Sequence, residues 1–452
     1  MEDVGRADPG SAPSPAGAGL EYDGGRYGAQ RMKTAAVIAE WNPFHNGHAY
    51  FLKEVRKRSG ADYIIAVMSG DFVQRGAPAI VDKYLRTEMA LDGGADLVLE
   101  LPVAAATGSA GEFAAGAVGL LEKTGAADEL WFGSECGEIS PFLKAAEFLE
   151  TESDVFKNKL RNALGNGRSY PAARAEAAAA AFTGGNRDFP GEKLFSEPNN
   201  ILGLEYCSAL RKCGSLIRPH TILRKGAGYH ASVPRAADLY PSAAMIRRML
   251  GTGAQGGKNA GPDPGAEGSC EVSELLRKSM PEKAASLLWN AVNTGSVPVI
   301  DDFSAMLFYR LLQETPVSLM RYHGMTEALA NRIMTKKNQC RTITELAEAV
   351  KAKHLTRSGI DRKLVRVLLG IDEAAFKEAM DVRVLRVLGF RNCDALLNHM
   401  HRYASVPYEM RVSSIPEEAY KTDLFASHIY EWVRAGKSNM NFQDEYRRMV
   451  VK

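Results

Sequence analysis

Short apolar runs alternate with stretches of helical periodicity from Lys33 onward, and this alternation limits the possible folds more than any other feature of the chain. Four apolar runs predict buried strands, at residues 34–39, 63–70, 96–102 and 129–135. The stretches between them predict helices, at about 46–58, 82–94 and 112–125. Strands and helices that alternate at this spacing are typical of a parallel sheet with crossover helices. We therefore predict an α/β fold for the first half of the chain.

The second half of the chain has a different pattern. An Ala-rich helix (172–182), another helix (199–214) and a strand (217–223) complete the α/β part, and helical periods dominate beyond residue 268. We assign helical character to all the later apolar stretches, including VRVLRVLGF at 382–390. The predicted organisation is a disordered extension, an α/β domain, a flexible linker or loop and a mostly α-helical C-terminal domain, at residues 1–31, 32–250, 251–268 and 269–452.

Composition excludes several classes of protein. With 452 residues, 45% hydrophobic and 24% charged, the chain has the balance of an ordinary globular protein rather than a disordered, collagenous or disulfide-scaffold one. Six cysteines without a CxxC pair argue against a zinc ribbon and favour a reducing compartment. No apolar run approaches the ~18–20 residues of a membrane span. We expect no membrane association and a cytoplasmic location.

The most informative segment is VIAEWNPFHNGHAYFLKEV (37–55), in which a strand runs through a proline-containing turn into a helix. Ligands bind at the carboxyl ends of strands in open α/β sheets, and a helix N-terminus there attracts anions. His45 and His48 fall on one face of the first helical turn, and Gly47 leaves room for close approach of a nucleotide. The alternative is a capping or metal-like coincidence. Zinc is disfavoured because no third ligand lies nearby.

HNGH resembles the HxGH signature of the nucleotidylyltransferase superfamily, which also contains the class I aminoacyl-tRNA synthetases. Longer runs resemble the bacterial tRNA(Met) cytidine acetate ligase family: AEWNPFHNGHAYFL, MSGDFVQRGAPAIVDKYLRTEMAL, EPNNILGLEYCSAL and RKGAGYH. The resemblance covers most of residues 32–250, and RVLGF (386–390) extends it. It implies a Rossmann-like ATP-binding domain followed by a helical domain that binds tRNA.

The resemblance also implies an activity. Such an enzyme activates acetate with ATP, giving acetyl-adenylate and pyrophosphate, and then acetylates N4 of the wobble cytidine of elongator tRNA(Met). The expected partners are ATP, acetate and that tRNA, with Mg²⁺ arriving on ATP and no obligate protein partner evident. His45 and His48 are the candidate catalytic residues, which would stabilise the departing pyrophosphate. No residue is assigned as a metal ligand.

Carried over by position, the resemblance assigns ATP binding to Ile38, Ala39, Glu40, Trp41, Asn42, Pro43, Phe44, His45, Asn46, Gly47, His48, Ala49, Tyr50, Phe51, Gly133, Asn199, Asn200, Arg224 and Lys225. Simpler roles compete for several of these residues. Gly133 could merely end its strand. In the functional interpretation one of the two asparagines caps a helix and the other meets adenine or ribose, whereas in the simpler one both merely cap the helix. The two cations could be solvated surface groups.

A pocket for acetate or phosphate is assigned to two further groups of residues. Gln74, Arg75, Asp82 and Lys83 follow the second strand, and the alternative for them is a loop salt bridge of little energetic value. Ser242 and Arg247 match a second superfamily signature of the form Ser-x-Thr-x-Ile-Arg, in which alanine occupies position 244 here. A lysine signature of the KMSKS type is absent from the sequence, which argues against an aminoacyl-tRNA synthetase.

Basic residues cluster in the helical region, and we assign tRNA binding to Lys336, Lys337, Lys351, Lys353, Arg362, Lys363 and Arg366. The alternative is a solvated helix face with acidic neighbours. Two other functions compete with the ligase. One is an adenylyltransferase that joins AMP to a small metabolite, and the other is an RNA-binding protein that keeps an ATP pocket without turnover. Pyrophosphate release that depends on acetate distinguishes the ligase from both.

Overall fold

The computed structural model describes residues 32–151, 153–182, 191–224, 242–251 and 269–452. Its strands are β1 Thr34–Ala39, β2 Tyr63–Ser69, β3 Phe72–Val73, β4 Ala77–Pro78, β5 Leu97–Leu101, β6 Glu129–Ser134, β7 Arg218–Leu223, β8 Leu385–Phe390, β9 Tyr408–Glu409 and β10 Val450–Val451. The predicted extension and all but the first residue of the predicted linker lie outside the described residues.

Helices fill the rest of the fold. The helices of the first half are α1 Asn46–Ser59, α2 Lys83–Asp92, α3 Val103–Ala106, α4 Ala110–Thr124, α5 Ser140–Thr151, α6 Asp154–Gly165, α7 Tyr170–Phe182, α8 Gly191–Ser196, α9 Pro198–Lys212 and α10 Ala243–Met249. Those of the second half are α11 Ser269–Ser279, α12 Glu282–Asn293, α13 Ser304–Gln313, α14 Pro316–Leu319, α15 Glu327–Lys336, α16 Ile343–Ala349, α17 Arg357–Leu369, α18 Glu373–Met380, α19 Asp394–Tyr403 and α20 Glu417–Ser438.

The main sheet has the strand order β10-β8-β5-β2-β1-β6-β7. Its central strands, from β5 to β7, are all parallel. The chain builds outward from β1 to β2 and β5 on one side and then to β6 and β7 on the other. The strand order therefore reverses at β1, which is where open α/β sheets bind ligands. The predicted parallel sheet with crossover helices is confirmed.

One predicted helix is wrong. The stretch 382–390 contains the strand β8, which pairs antiparallel with β5 and parallel with β10. Five of its six residues are buried, so the apolar run that we took for a buried helix face is a strand covered on both sides. Gly389 fits this crowded position because a Cβ there would lie 2.5 Å from the Val450 carbonyl oxygen. The C-terminal region thus completes the sheet as well as forming helices.

Residues 33–452 form one compact unit. One apolar core lies between the sheet and the helices α1, α2 and α12, and a second fills the helical region and includes Phe72 and Val103 of the α/β part. Within the described ranges no helix is both long and apolar enough to cross a membrane. The helical region is packed against the end of the sheet that carries the site.

Candidate active site

A cavity of about 590 Å³ opens at the carboxyl end of β1. It brings together most of the predicted site residues from six separate segments of the chain. The predicted residues that line it are Ile38, Ala39, Glu40, Trp41, Asn42, His45, Gly47, His48, Tyr50, Phe51, Gln74, Arg75, Gly133, Asn199, Arg224, Ser242 and Arg247. A cavity of this size suits a nucleotide.

His45 and His48 form a stacked pair at the start of α1. Their ring centroids are 3.7 Å apart with an interplanar angle of 26°. The Nδ1 of His45 accepts the Gly47 N–H at 3.0 Å, and the Nδ1 of His48 accepts the His45 N–H at 3.2 Å. The pair is therefore a reciprocal helix cap built from imidazoles instead of the usual hydroxyl and carboxylate.

These backbone contacts determine which nitrogen carries the proton. Since each Nδ1 is an acceptor, each neutral ring must be protonated at Nε2. Burial, together with the charges of Arg224 and Arg247, lowers the pKa of His45 to about 3. Burial and the neighbouring His45 hold the pKa of His48 well below its usual value. The free protein therefore holds two neutral Nε2–H donors in a cavity that also contains cations.

Two arginines supply positive charge to the cavity. Arg224 follows β7 and packs across Gly133, where a Cβ would lie 3.2 Å from the Arg224 Cγ. Burial lowers the pKa of Arg224, and the negative charge of Glu135 partly offsets this decrease. Arg247 donates to the Asn42 carbonyl oxygen, and burial with the nearby Arg75 lowers its pKa to about 10. Both guanidinium groups stay charged at neutral pH and suit an anionic ligand.

A buried arginine fixes the loop between β1 and α1. Arg86 donates to the carbonyl oxygens of Glu40 at 2.8 Å and Ser69 at 2.9 Å, at the ends of two adjacent strands. The side-chain oxygen of Asn42 accepts the Ile80 N–H at 2.8 Å. The Asn42–Pro43 peptide is cis. Because strand ends have unpaired carbonyls, the arginine replaces the water that would otherwise hydrate them.

The two asparagines of α9 do not cap it. The helix begins at Pro198, and the Glu135 carboxylate accepts the Asn200 N–H at 2.9 Å. The Asn200 amide is buried and held inside the protein, since its oxygen accepts two backbone N–H groups and its nitrogen donates to the Lys193 carbonyl. Asn200 therefore supports the loop after β6, and Asn199 alone lines the cavity.

Asp82 and Lys83 lie away from the cavity, contrary to our assignment. Asp82 caps α2 and forms an ion pair with Arg448 at 3.0 Å. The Lys83 ammonium is fully buried, 2.7 Å from the nearest carboxylate oxygen of both Glu100 and Glu445. Burial alone would lower the pKa of Lys83, but these two carboxylates raise it well above its usual value. The first turn of α2 faces the helical region instead of the ligand site.

Other predicted residues are near the cavity without lining it. Pro43 and Phe44 are buried beneath the loop, and Phe44 packs against the His48 ring at 5.6 Å. Asn46 donates to the Lys278 carbonyl, and Ala49 packs against the core. Lys225 lies outside the described residues.

The predicted tRNA-binding residues divide into three groups. Lys351 and Lys353 are exposed, whereas Lys336, Lys337 and Lys363 are half-buried. Arg362 donates to the Gln74 carbonyl at 3.4 Å, next to Gly76, where a Cβ would lie 2.3 Å from the Arg362 backbone nitrogen. The cations of α17 therefore adjoin the loop that forms one edge of the cavity.

Arg366 is the exception on α17. It is buried and forms an ion pair with Glu112 at 3.1 Å. It also donates to the carbonyl oxygens of Thr107 and His323. A guanidinium used in this way has no freedom to bind a phosphate, so Arg366 has a structural role.

Several lining residues were not predicted. Glu135 ends the WFGSE run two residues after Gly133, so its position at a strand end was a usable signal. Phe113 and Tyr206 also line the cavity, but they lie within helices whose apolar periodicity conceals them. In the described part of the chain, no group of three or more His, Cys, Asp or Glu side chains could hold a metal ion.

Known proteins resemble this chain over most of its length. Residues 32–445 match the family model described as HIGH nucleotidyl transferase. The chain is similar to the tRNA(Met) cytidine acetate ligase of Acetivibrio thermocellus, with 36% identity over 387 residues, which are 84% of this chain and 89% of that protein. It is 37% identical to the ligase of the same name from Thermoanaerobacter sp., over 88% of this chain and 95% of that one.

Two solved structures have a similar fold. The apo form of Thermotoga maritima TmcAL superimposes with a TM-score of 0.81 at 31% identity, covering 93% of this chain and 99% of that chain. The same protein bound with alpha-thio ATP gives a TM-score of 0.80 at 30% identity with the same coverage. The similarity therefore includes the helical region as well as the sheet.

Proposed function

This chain belongs to the HIGH nucleotidyl transferase family and to the tRNA(Met) cytidine acetate ligases, and on that premise we propose that it is an ATP-dependent ligase that acetylates tRNA(Met). The observation that carries the proposal is the stacked His45–His48 pair inside the cavity at the switch point of the sheet. The names of the relatives favour this activity over adenylylation of a small metabolite.

In the first step, acetate attacks the α-phosphorus of ATP and pyrophosphate leaves. Negative charge grows on the phosphate oxygens as the bond to pyrophosphate breaks. The Nε2–H groups of His45 and His48 donate to those oxygens, and Arg224 and Arg247 balance their charge. Neutral donors suit this step because they are held by the backbone before ATP arrives and need no proton transfer.

Acetate and the remaining phosphate contacts are assigned to Arg75, Ser242 and Arg247, which share one wall of the cavity. Ser242 caps α10 by accepting the Met245 N–H, and this cap keeps Arg247 turned towards the loop after β1. Mg²⁺ is expected to be carried by the phosphate oxygens and water. In the second step, N4 of the wobble cytidine of elongator tRNA(Met) attacks the acetyl-adenylate and AMP leaves.

The tRNA is expected to approach along α17. Arg362 adjoins the loop containing Gln74 and Arg75, and Lys363 follows it on α17. Phosphates bound there would bring a nucleotide to the cavity edge. Burial and the neighbouring charges of Arg362 and Arg366 lower the pKa of Lys363, and this proximity of cations supports an anionic partner at this helix. Lys336, Lys337, Lys351 and Lys353 remain candidates for more distant tRNA contacts.

Mass spectrometry of nucleosides tests the proposal directly. Elongator tRNA(Met) is incubated with the protein, ATP and isotopically labelled acetate and then digested. Labelled N4-acetylcytidine that is absent without ATP is the expected result. Pyrophosphate release without label in the tRNA would leave an adenylating enzyme with a different acceptor and would contradict the ligase.

A further inference from the structure

One part of the cavity wall carries polar groups that take no part in the phosphate and acetate contacts proposed above, although the family resemblance counts Glu40 with the ATP-binding residues and we assigned Gln74 to the acetate or phosphate pocket. Glu40, Gln74 and Tyr206 all line the cavity. The Oε1 of Glu40 accepts the backbone N–H of Gln74 at 2.8 Å, which fixes the carboxylate beside the Gln74 side chain. Among the described residues, the Nε2 of Gln74 is buried without a hydrogen-bond partner.

A buried amide N–H without a hydrogen-bond partner destabilises the folded protein, because nothing replaces the hydration that it has lost. Native structures therefore keep few such groups, and one at the edge of a ligand cavity marks a place where a ligand supplies the missing acceptor. Gln74 would donate to that ligand. The sequence, from which Gln74 was assigned to the acetate or phosphate pocket, does not reveal this unpaired amide.

The charge of the Glu40 carboxylate restricts which chemical groups can bind at this wall. A negative charge beside the loop would repel phosphate and acetate, whereas it would accept a hydrogen bond from an amine. Tyr206 is 4% exposed, and burial together with the Glu40 charge raises the pKa of its hydroxyl. Tyr206 therefore remains a protonated phenol beside the carboxylate. The wall thus offers a charged acceptor and neutral donors.

We propose that Glu40, Gln74 and Tyr206 form the binding site for the acceptor base of the tRNA, and that Glu40 accepts the proton that its amine releases. This rests on the proposed function. The Watson–Crick edge of cytosine has a donor at N4 and acceptors at N3 and O2, which match Glu40 and the Gln74 amide. Uracil has an acceptor at position 4, which would face the Glu40 carboxylate. The same wall therefore selects cytidine over uridine.

The chemical step balances with these groups alone. N4 attacks the acetyl carbonyl carbon, a C–N bond forms, and the C–O bond to the adenylate phosphate breaks with release of AMP. The proton lost by N4 passes to Oε2 of Glu40 and then to water. A positioned carboxylate of this kind contributes about 10²–10⁴-fold to a rate.

The test separates the two half-reactions. Glu40→Gln retains an oxygen to accept the Gln74 N–H but removes the charge. We expect acetyl transfer from preformed acetyl-adenylate to tRNA(Met) to fall by about 100-fold or more, and acetate-dependent exchange of pyrophosphate into ATP to fall by a factor at least about tenfold smaller. The exchange that remains also shows that the variant is folded. Gln74→Met, of similar size, should raise the KM for tRNA by a larger factor than the KM for ATP or acetate.

The control is Glu138→Gln, at an exposed position that does not line the cavity. It should leave both exchange and transfer unchanged. Equal loss of exchange and transfer in Glu40→Gln would assign Glu40 to acetate activation and overturn the inference. Unchanged transfer in this variant would overturn it as well. Absence of acetate-dependent exchange in the wild type would instead contradict the proposed function.

Discussion

Arg366 of α17 and Glu112 of α4 form an ion pair of 3.1 Å between segments 254 residues apart in the chain. The guanidinium is buried, and the carboxylate is partly exposed. His323 also contacts Glu112, at 2.6 Å. Arg366, which we assigned to tRNA binding from the sequence, thus joins the helical region to helix α4 of the α/β region that carries the active site.

Glu112→Gln should destabilise the protein at neutral pH. Partial burial opposes ionisation, but hydrogen bonds from His323 and the Ser109 N–H, with the charge of Arg366, lower the pKa of Glu112 to about 2. Its contribution to the free energy of unfolding is present above about pH 4.5 and is lost as the pH falls towards 2. We expect a loss of about 1–3 kcal/mol at pH 7, since Arg366 stays buried with its charge less well balanced.

Urea denaturation at pH 7 and pH 3 measures this difference. The difference in the free energy of unfolding between the wild type and Glu112→Gln should be smaller at pH 3 than at pH 7. Glu417→Gln, at an exposed position of α20, is the control and should change stability by less than about 0.5 kcal/mol. A gap for Glu112→Gln that widened on acidification would contradict the assignment.

Lys83→Met should be among the most destabilising single changes in the chain. The ammonium is fully buried between Glu100 and Glu445, and it also meets the Tyr420 hydroxyl at 3.0 Å. Its removal leaves two buried carboxylates without their cation, at a cost of about 3–5 kcal/mol. Thermal unfolding measures the loss. A variant with wild-type stability but a raised KM for acetate would restore Lys83 to the ligand pocket.

Two glycines of α4 should respond in opposite ways to alanine. At Gly119 a Cβ would have no neighbour within 4 Å, so Gly119→Ala should stabilise the protein by about 0.5–1 kcal/mol through helix propensity. At Gly116 a Cβ would lie 2.5 Å from the Ala105 Cβ, so Gly116→Ala should destabilise it by about 1–3 kcal/mol. Chemical denaturation of both variants compares them directly. Equal effects would show that helix propensity outweighs the packing of α4 on α3.

His48→Ala should slow acetate-dependent pyrophosphate exchange by about 10²–10³-fold, the usual effect of losing one donor to a developing charge. Because the pKa of His45 is about 3 and that of His48 is also lowered, both are neutral donors above pH 5. The kcat/KM for ATP should then show no histidine titration between pH 5 and 8. His401→Ala, on an exposed part of α19, is the control. An inflection near pH 6.5 that disappears in His48→Ala would contradict the neutral pair.

Lys363→Ala should weaken tRNA binding and leave ATP binding unchanged. Each phosphate contact that is lost reduces, by about one unit, the steepness with which the logarithm of tRNA affinity falls with the logarithm of salt concentration. Titration of tRNA(Met) at several salt concentrations measures this slope. Lys144→Ala, at an exposed position of α5, should leave the slope unchanged. Equal weakening of ATP and tRNA binding would contradict separate sites.

Local pattern was sufficient for the parallel centre of the sheet and for the centre of the site. The alternation of apolar runs placed β1, β2, β5 and β6, because a strand buried on both faces needs an unbroken apolar run wherever it lies in the fold. The histidines could also be located from sequence. They begin a helix directly after a strand, and that connection brings them to the carboxyl end of the sheet by geometry alone.

Long-range packing decided the rest. VRVLRVLGF is compatible with a helix or a strand, and the unpaired edge of β5 makes it a strand. Lys83, Asn200 and Arg366 have side chains suited to a ligand, but partners distant in sequence use them inside the protein. These partners include Glu445, Cys136 and Glu112, respectively. The sequence by itself determined where strands end and a helix begins. Only the tertiary structure decided which polar groups remain available to a ligand, because a hydrogen bond depends on which groups the fold brings within about 3 Å.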